Sequence, residues 1–181
     1  MNIHCPRRQQ AFTLVEMLTV ITIILILAAI LLNVAGYANN KAATSRAQGE
    51  IHAMSAALEN YKADNGTYPT DGGTDGLNAK TTFDPGGYQT ASQTLYRALT
   101  GDNDNDPTNT FSGTGKQYME IKSNMMPTGT NVYIQDPFGN SYGYSTAYQA
   151  NSANGYNPTF DLWSTSGGKS SADQPKWIKN W

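Results

Sequence analysis

A long apolar run near the N-terminus restricts what this chain can fold into. From Met17 to Ala38 the residues are Leu, Ile, Val, Ala and Thr with few interruptions, and Glu16 is the only charged residue between Arg8 and Lys41. As a helix this run would be about 33 Å long, enough to cross a hydrocarbon core of ~30 Å. The sequence therefore predicts a membrane-spanning helix over residues 12–38.

A secretory signal peptide is the alternative interpretation of the apolar run. Its apolar region typically has ~7–15 residues and ends at a small-residue cleavage site, whereas this run is longer and helical periodicity continues beyond it. Four apolar residues with helical spacing follow the run: Ile51, Met54, Leu58 and Tyr61. Because Asn65 and Gly66 give a stop signal, we expect one helix from near Phe12 to about Asp64, with an apolar face in its second half.

The second half of the chain is rich in Gly, Asn, Thr and Ser and contains several short stretches of β-formers. Residues 132–144 are typical of a hairpin that turns at residues 137–140, and further β-formers occupy residues 118–121 and 158–165. The stretch "SQTLYRALTGD" predicts a short helix ended by Gly101. A small antiparallel sheet of three or four strands would cover the apolar helix face, so the predicted class is α+β.

Glu16 is a costly residue at the edge of a membrane helix. A charge at mid-membrane costs ~2.5–3.5 kcal/mol on insertion scales, and the favourable helix dipole contributes only ~0.3–1 kcal/mol. If the chain were cut between Ala11 and Phe12, the new α-ammonium would lie one helical turn from Glu16. The ammonium of a neighbouring copy would then be a partner for the carboxylate. The alternative is an interfacial glutamate that reaches the lipid headgroups.

The stretch "AFTLVEMLTVITIILILAAI" resembles the N-terminus of type IV pilins and of type II secretion pseudopilins. The resemblance implies a prepilin leader over residues 1–11, cleaved by a prepilin peptidase between Ala11 and Phe12. It also implies N-methylation of Phe12 and a role for Glu16 in filament assembly. The family normally has glycine before the cut, and Ala11 is small enough to meet the same constraint.

Several later segments are similar to the major pseudopilin, the G subunit of type II secretion, and imply the pilin-like fold. They are "YPT" with "GLNA", "DPFGNSYGY", "FDLWS" and the final "NW". The insertion at about residues 81–130 matches least. Type IV major pilins usually close their C-terminal region with a disulfide, and Cys5 is the only cysteine here, which favours the secretion branch.

The resemblance implies a structural subunit that polymerises with copies of itself into a pseudopilus that helps to drive protein export across the outer membrane. Its implied partners are minor pseudopilins, an inner-membrane assembly platform and the prepilin peptidase. The implied location is the bacterial inner membrane, crossed once, with residues 39–181 forming a periplasmic domain. The alternative is a type IV pilin-like subunit for adhesion, motility or DNA uptake.

Other function classes find little support in the sequence. No paired cysteines, phosphate-binding glycine loop or nucleophile elbow is present, so we expect no enzyme activity. The net charge of −2 gives no electrostatic case for binding nucleic acid. Most aromatic residues of the second half are expected in the core, with Trp177 and Trp181 as candidates for an exposed binding surface.

A calcium site near the C-terminus is a further implication of the resemblance to the G subunit. In this chain Gly168 stands where the family has its first aspartate, and Asp173 is the only acidic residue left in the loop after "FDLWS". Calcium takes ~6–8 oxygen ligands, usually including several carboxylates, so Asp173 with the carbonyl of Thr165 would make a poor site. We therefore expect that the protein requires no cofactor. Lys169 and Lys176 are candidates for a positive charge that replaces the calcium ion.

A second acidic cluster lies in the insertion. Asp102, Asp104 and Asp106 have the alternate spacing that opens an EF-hand loop. The sixth loop position is Pro107 and the twelfth is Gly113, so the EF-hand interpretation fails. A surface turn is the favoured interpretation, and calcium binding is the alternative.

Overall fold

The computed structural model describes residues 12–102, 115–129 and 131–181, without the side chains of residues 32–35. The chain divides into two units, Met1–Lys41 and Ala42–Trp181.

Helix α1 spans Leu14–Asn65 and supplies the described part of the N-terminal unit. Its first part contains an 18-residue window with a mean hydropathy of 2.8, long and apolar enough to cross a membrane. The large apolar side chains along this part are exposed from Leu14 to Leu31. The predicted extent of the helix, from near Phe12 to about Asp64, is confirmed.

In the C-terminal unit, α1 has one buried face. Ile51, Met54 and Leu58 are 2 %, 0 % and 0 % exposed, as the helical spacing predicts. Tyr61, the fourth residue of the stripe, is only half-buried and lies with its ring 5.3 Å from that of Tyr118. Burying one large aliphatic side chain contributes ~1.5–3 kcal/mol, so this face anchors the helix in the main core.

Three shorter helices follow: α2 at Gly72–Gly76, α3 at Gln89–Thr100 and α4 at Ala147–Ala150. Helix α3 buries Leu95 and Leu99 and ends at Gly101, whose φ of 75° is left-handed and whose N–H bonds the carbonyl of Arg97. This is the helix predicted from the sequence. Short 3₁₀ helices occur at Pro85–Tyr88, Ser123–Met125, Ser152–Asn154 and Ser171–Lys176.

The sheet has three short antiparallel strands in the order β1-β2-β3, namely Gly143–Ser145, Asp161–Ser164 and Ile178–Lys179. Gly143 faces Trp163 in the first pair, and Ser164 faces Ile178 in the second. A long helix with a small antiparallel sheet is the α+β, pilin-like arrangement that the sequence predicts.

Two predicted strand segments have no place in this sheet. Residues 118–121 and 131–134 form no strand. The N–H of Ile134 donates to Oγ of Ser92, and that hydroxyl donates back to the carbonyl of Ile134, both at 3.1 Å. A side chain of α3 thus supplies the partner of the Ile134 N–H, while the carbonyl of Ile134 also accepts the backbone N–H of Tyr142 at 3.0 Å. The predicted hairpin keeps its turn, with one bridge between Gln135 and Ser141.

A second cluster of aromatic residues packs on the sheet. Trp163 and Trp177 are 0 % and 5 % exposed, and their rings are nearly parallel with centroids 5.8 Å apart. Trp181 is half-buried against Tyr156, at 4.7 Å. Trp177 therefore lies in the core, as expected for most aromatic residues of the second half, and the alternative of an exposed binding surface is wrong for this residue, because its ring fills the space beside Trp163.

Candidate functional site

Glu16 lies in the first turn of α1, where it pairs with Thr13. Oε2 of Glu16 accepts hydrogen bonds from the backbone N–H and the hydroxyl of Thr13, at 2.8 and 2.7 Å. The N–H of Glu16 in turn donates to Oγ1 of Thr13 at 3.3 Å. These reciprocal bonds form a capping box, which satisfies donors that the helix start would otherwise leave unpaired.

The capping box fixes the position of the Glu16 carboxylate relative to the start of the helix. Both hydrogen bonds end on Oε2, so Oε1 accepts none from the residues that the structure describes. Sequence reasoning assigned no role to Thr13. The spacing Thr-x-x-Glu in "TLVE" was the available signal.

Phe12 precedes the helix and is 75 % exposed. Ala11, the other residue of the predicted cleavage site, and the leader of residues 1–11 lie outside the described residues. The hydroxyls of Thr19 and Thr22 donate to the carbonyls of Val15 and Leu18, both at 2.8 Å. Since these polar groups are satisfied within the helix, they do not prevent the surface from entering an apolar environment.

The candidate metal residues of the C-terminal loop lie between β2 and β3. The carbonyl of Thr165 accepts the N–H of Gly168 at 2.9 Å. One carboxylate oxygen of Asp173 accepts the hydroxyl of Ser170 at 2.7 Å, and the other lies 3.3 Å from Nζ of Lys176. The Ser170 hydroxyl, followed by the Lys176 ammonium, holds the pKa of Asp173 below its ordinary value of 3.8.

These residues do not fit a calcium ion. A Cβ added at Gly168, where the family has an aspartate, would lie 2.3 Å from Cβ of Asp173. The loop therefore has no room for a second carboxylate at this position in its present conformation. Across the described residues, no three His, Cys, Asp or Glu side chains are grouped as a metal site. In the loop between β2 and β3, Asp173 is the only residue with a carboxylate, and this carboxylate already forms an ion pair with Lys176.

Asp102, the first residue of the insertion cluster, is 1 % exposed. Its carboxylate accepts the hydroxyl of Tyr96 at 3.0 Å, and its N–H donates to Oγ1 of Thr100 at 3.2 Å. These two hydrogen bonds hold Asp102, which follows the end of α3, against the last turns of that helix. Asp104 and Asp106 lie outside the described residues.

Two family models match the chain. The prokaryotic N-terminal methylation motif covers residues 6–32, which contain Ala11, Phe12 and Glu16. The family of type II secretion system protein G covers residues 33–123, half of the chain.

Two curated proteins are similar to part of the chain. The type II secretion system core protein G of Pseudomonas aeruginosa is 40 % identical over 80 residues. The protein of the same description from Aeromonas hydrophila is 43 % identical over 81 residues. In each case the match covers 44 % of this chain and 56 % of the relative.

Proposed function

This chain belongs to the family of type II secretion system protein G, and on that premise we propose that it is the polymerising structural subunit of a secretion pseudopilus. Its work would be mechanical and not enzymatic. Extension of the filament would help to move folded proteins through an outer-membrane channel. The observation that carries the proposal is the fixed carboxylate of Glu16 at the start of an exposed apolar helix.

The joining step follows from the chemistry of the helix start. Cleavage between Ala11 and Phe12 would leave a free α-ammonium at Phe12, and the prepilin peptidase would then transfer a methyl group to this amine from a separate methyl donor. The capping box holds Oε2 of Glu16 and leaves Oε1 to accept that ammonium from a neighbouring subunit. In an apolar environment such a pair offsets the cost of each charge, and an unpaired charge is expensive. The pair therefore favours one register between subunits over others.

The exposed apolar side chains of α1 supply the remaining attraction. In the membrane they contact lipid, and in the filament they would contact the same helix of neighbouring copies. Lipid chains are as apolar as these side chains, so moving the helix from the membrane into the filament gains little from the hydrophobic effect. The gain must come from close packing between helices and from the Glu16 ion pair. The Phe12 amine of one subunit and the Glu16 carboxylate of its neighbour would thus determine the register in which a new subunit is added to the filament.

The location and partners that we propose are those of the family. The helix would cross the bacterial inner membrane once, and the domain beyond it would be periplasmic. The prepilin peptidase would process the leader, and an assembly platform and minor pseudopilins would start and lengthen the filament. The match to the secretion family favours this role over a pilin-like subunit for adhesion, motility or DNA uptake.

The test is co-expression with a prepilin peptidase and an assembly platform, followed by mass spectrometry of the mature N-terminus. We expect a start at N-methylated Phe12 and filaments that electron microscopy detects. Glu16→Gln keeps an acceptor for the Thr13 bonds but removes the charge, and we expect processing without filaments. Glu120→Ala, which removes an exposed carboxylate of the C-terminal unit, is the control and should assemble normally. An intact leader, or normal filaments from Glu16→Gln, would contradict the proposal.

A further inference from the structure

The loop between β2 and β3 is closed by contacts among its own residues. Ser166 and Gly167 have left-handed φ values of 52° and 85°, and the N–H of Gly168 bonds the carbonyl of Thr165. This is the geometry of a type I′ turn, which matches the twist of antiparallel strands. The hydroxyl of Ser166 also donates to the carbonyl of Lys176 at 2.9 Å, which ties the two ends of the loop together.

Asp173 is the centre of the second set of contacts in this loop. Ser170 donates its hydroxyl to one carboxylate oxygen, and Lys176 places its ammonium beside the other. Gly168 packs directly against the Asp173 side chain, at a distance that excludes any Cβ. The lysine is the loop's only cation in an ion pair among the described residues.

The contacts of Asp173 resemble those of a loop closed by a bound metal ion, except that the cation here is the ammonium of Lys176. The Asp173 carboxylate lies in the 3₁₀ helix at Ser171–Lys176, and its oxygens contact Ser170 before that helix and Lys176 at its end, so that one positive charge balances it. Calcium would have to displace Lys176 and find further carboxylates, which the described part of the loop lacks. An ammonium is held by one carboxylate and needs no cage of six or more oxygens.

We propose that the Asp173–Lys176 pair, with Ser170, closes this loop in place of a divalent cation, so that the folded domain is independent of calcium. The consequence concerns the packing beneath the loop. Trp177 follows Lys176 directly and stacks on Trp163 of β2. Closing the loop therefore holds Trp177 in the aromatic cluster and β3 on the sheet.

The experiment is hydrogen exchange with mass spectrometry on the full chain in detergent, before any assembly. Exchange over residues 166–177 is measured with a chelator, with millimolar CaCl₂ and with millimolar MgCl₂. Three variants are compared with the wild type: Lys176→Met, Lys176→Arg and the matched control Lys169→Met. Lys169 is an exposed lysine of the same loop that forms no ion pair with the described residues.

We expect the same exchange in all three solutions for the wild type. Lys176→Met should exchange about two- to fivefold faster over residues 166–177, the range of an exposed ion pair, and neither Lys176→Arg nor Lys169→Met should do so. Slower exchange in calcium than in magnesium for the wild type would overturn the proposal. So would unchanged exchange in Lys176→Met, or equal acceleration in both methionine variants. Exchange over residues 131–164 reports whether a variant has lost its fold.

Discussion

Tyr142 donates its hydroxyl to Oε2 of Glu50 at 2.6 Å, which joins the segment before β1 to the C-terminal part of α1. The other oxygen of Glu50 pairs with Arg46, one turn earlier, at 2.7 Å. Arg46 also donates to the carbonyl of Asn124 at 3.2 Å. Burial, and then the bond to Glu50, raises the pKa of Tyr142, so the phenol remains a donor at every physiological pH.

Tyr142→Phe should lower the free energy of unfolding by about 1.5–3 kcal/mol, because it removes a hydrogen bond to a charged group. The Phe ring fits the same space, since only the hydroxyl is lost. Denaturant unfolding of the full chain in detergent measures the change. Tyr148→Phe removes a hydroxyl from a half-buried tyrosine and should be close to neutral. Equal effects of the two variants would show that the Glu50 bond contributes nothing specific.

Gly143 is the point where β1 passes beneath an indole ring. A Cβ there would lie 2.1 Å from Cε2 and 2.3 Å from Cζ2 of Trp163. The ring has nowhere to move, because Trp177 stacks on it and Tyr88 meets its edge. Gly143→Ala should therefore cost at least about 1–3 kcal/mol, the range for overpacking a core.

The matched glycine for that comparison is Gly49, on the exposed side of α1. A Cβ at this residue would meet nothing within 4 Å. Gly49→Ala should raise the free energy of unfolding by up to about 1 kcal/mol, because alanine favours the helix. The prediction for Gly143 fails if both alanines change the unfolding midpoint in the same direction.

Thr13 should matter for assembly through Glu16. Thr13→Ala removes the hydroxyl of the capping box, while Thr13→Ser keeps it. We expect fewer filaments from the alanine variant at equal expression and processing, and normal yield from the serine variant. Thr22→Ala, which removes a hydroxyl bonded only to a carbonyl of its own helix, is the control. Quantitative electron microscopy of sheared filaments gives the yield, and a loss in Thr22→Ala as large as that in Thr13→Ala would contradict the role of the cap.

Periodic features of this fold were accessible from the sequence. The spacing of Ile51, Met54 and Leu58 predicts the buried face of α1, because residues three and four apart share a side of a helix. Gly101 predicts the end of α3, because a left-handed residue is needed there and glycine adopts it without strain. The match of residues 33–123 to the family confirms the resemblance on which the functional prediction rested.

Contacts between distant residues were not accessible in this way. Ser92 bonds the backbone of Ile134, 42 residues away, and nothing local distinguishes it from other serines of a helix. Asn180 is another case: its side chain accepts the N–H of Leu162 at 2.9 Å and donates to the carbonyl of Phe160 at 3.1 Å. Such bonds depend on which segments the fold brings together, so periodicity gives no sign of them.

The carboxyl group of Asp136 makes the free energy of unfolding of the domain depend on pH, and the direction of that dependence follows from its pKa. Burial raises the pKa of its carboxyl above 3.8, and hydrogen bonds from Ser164 and from the backbone N–H groups of Asn140 and Phe138 oppose the rise only in part. Between 3.8 and the raised value, the folded chain holds a proton that the unfolded chain has released. The contribution of Asp136 is therefore fully present at low pH and is lost as the pH rises through the raised pKa.

Asp136→Asn isolates this contribution, because the amide keeps an oxygen for the two N–H donors and never ionises. We expect the free energy of unfolding of the wild type, minus that of the variant, to fall as the pH rises from about 3.5 to 7. Carboxylates with lowered pKa, such as Asp64 beside Lys116, destabilise both proteins in acid and cancel in the difference. Urea unfolding of the full chains in detergent at several pH values gives the curve. A difference that is flat or rises with pH would mean that hydrogen bonds, and not burial, determine the pKa of Asp136.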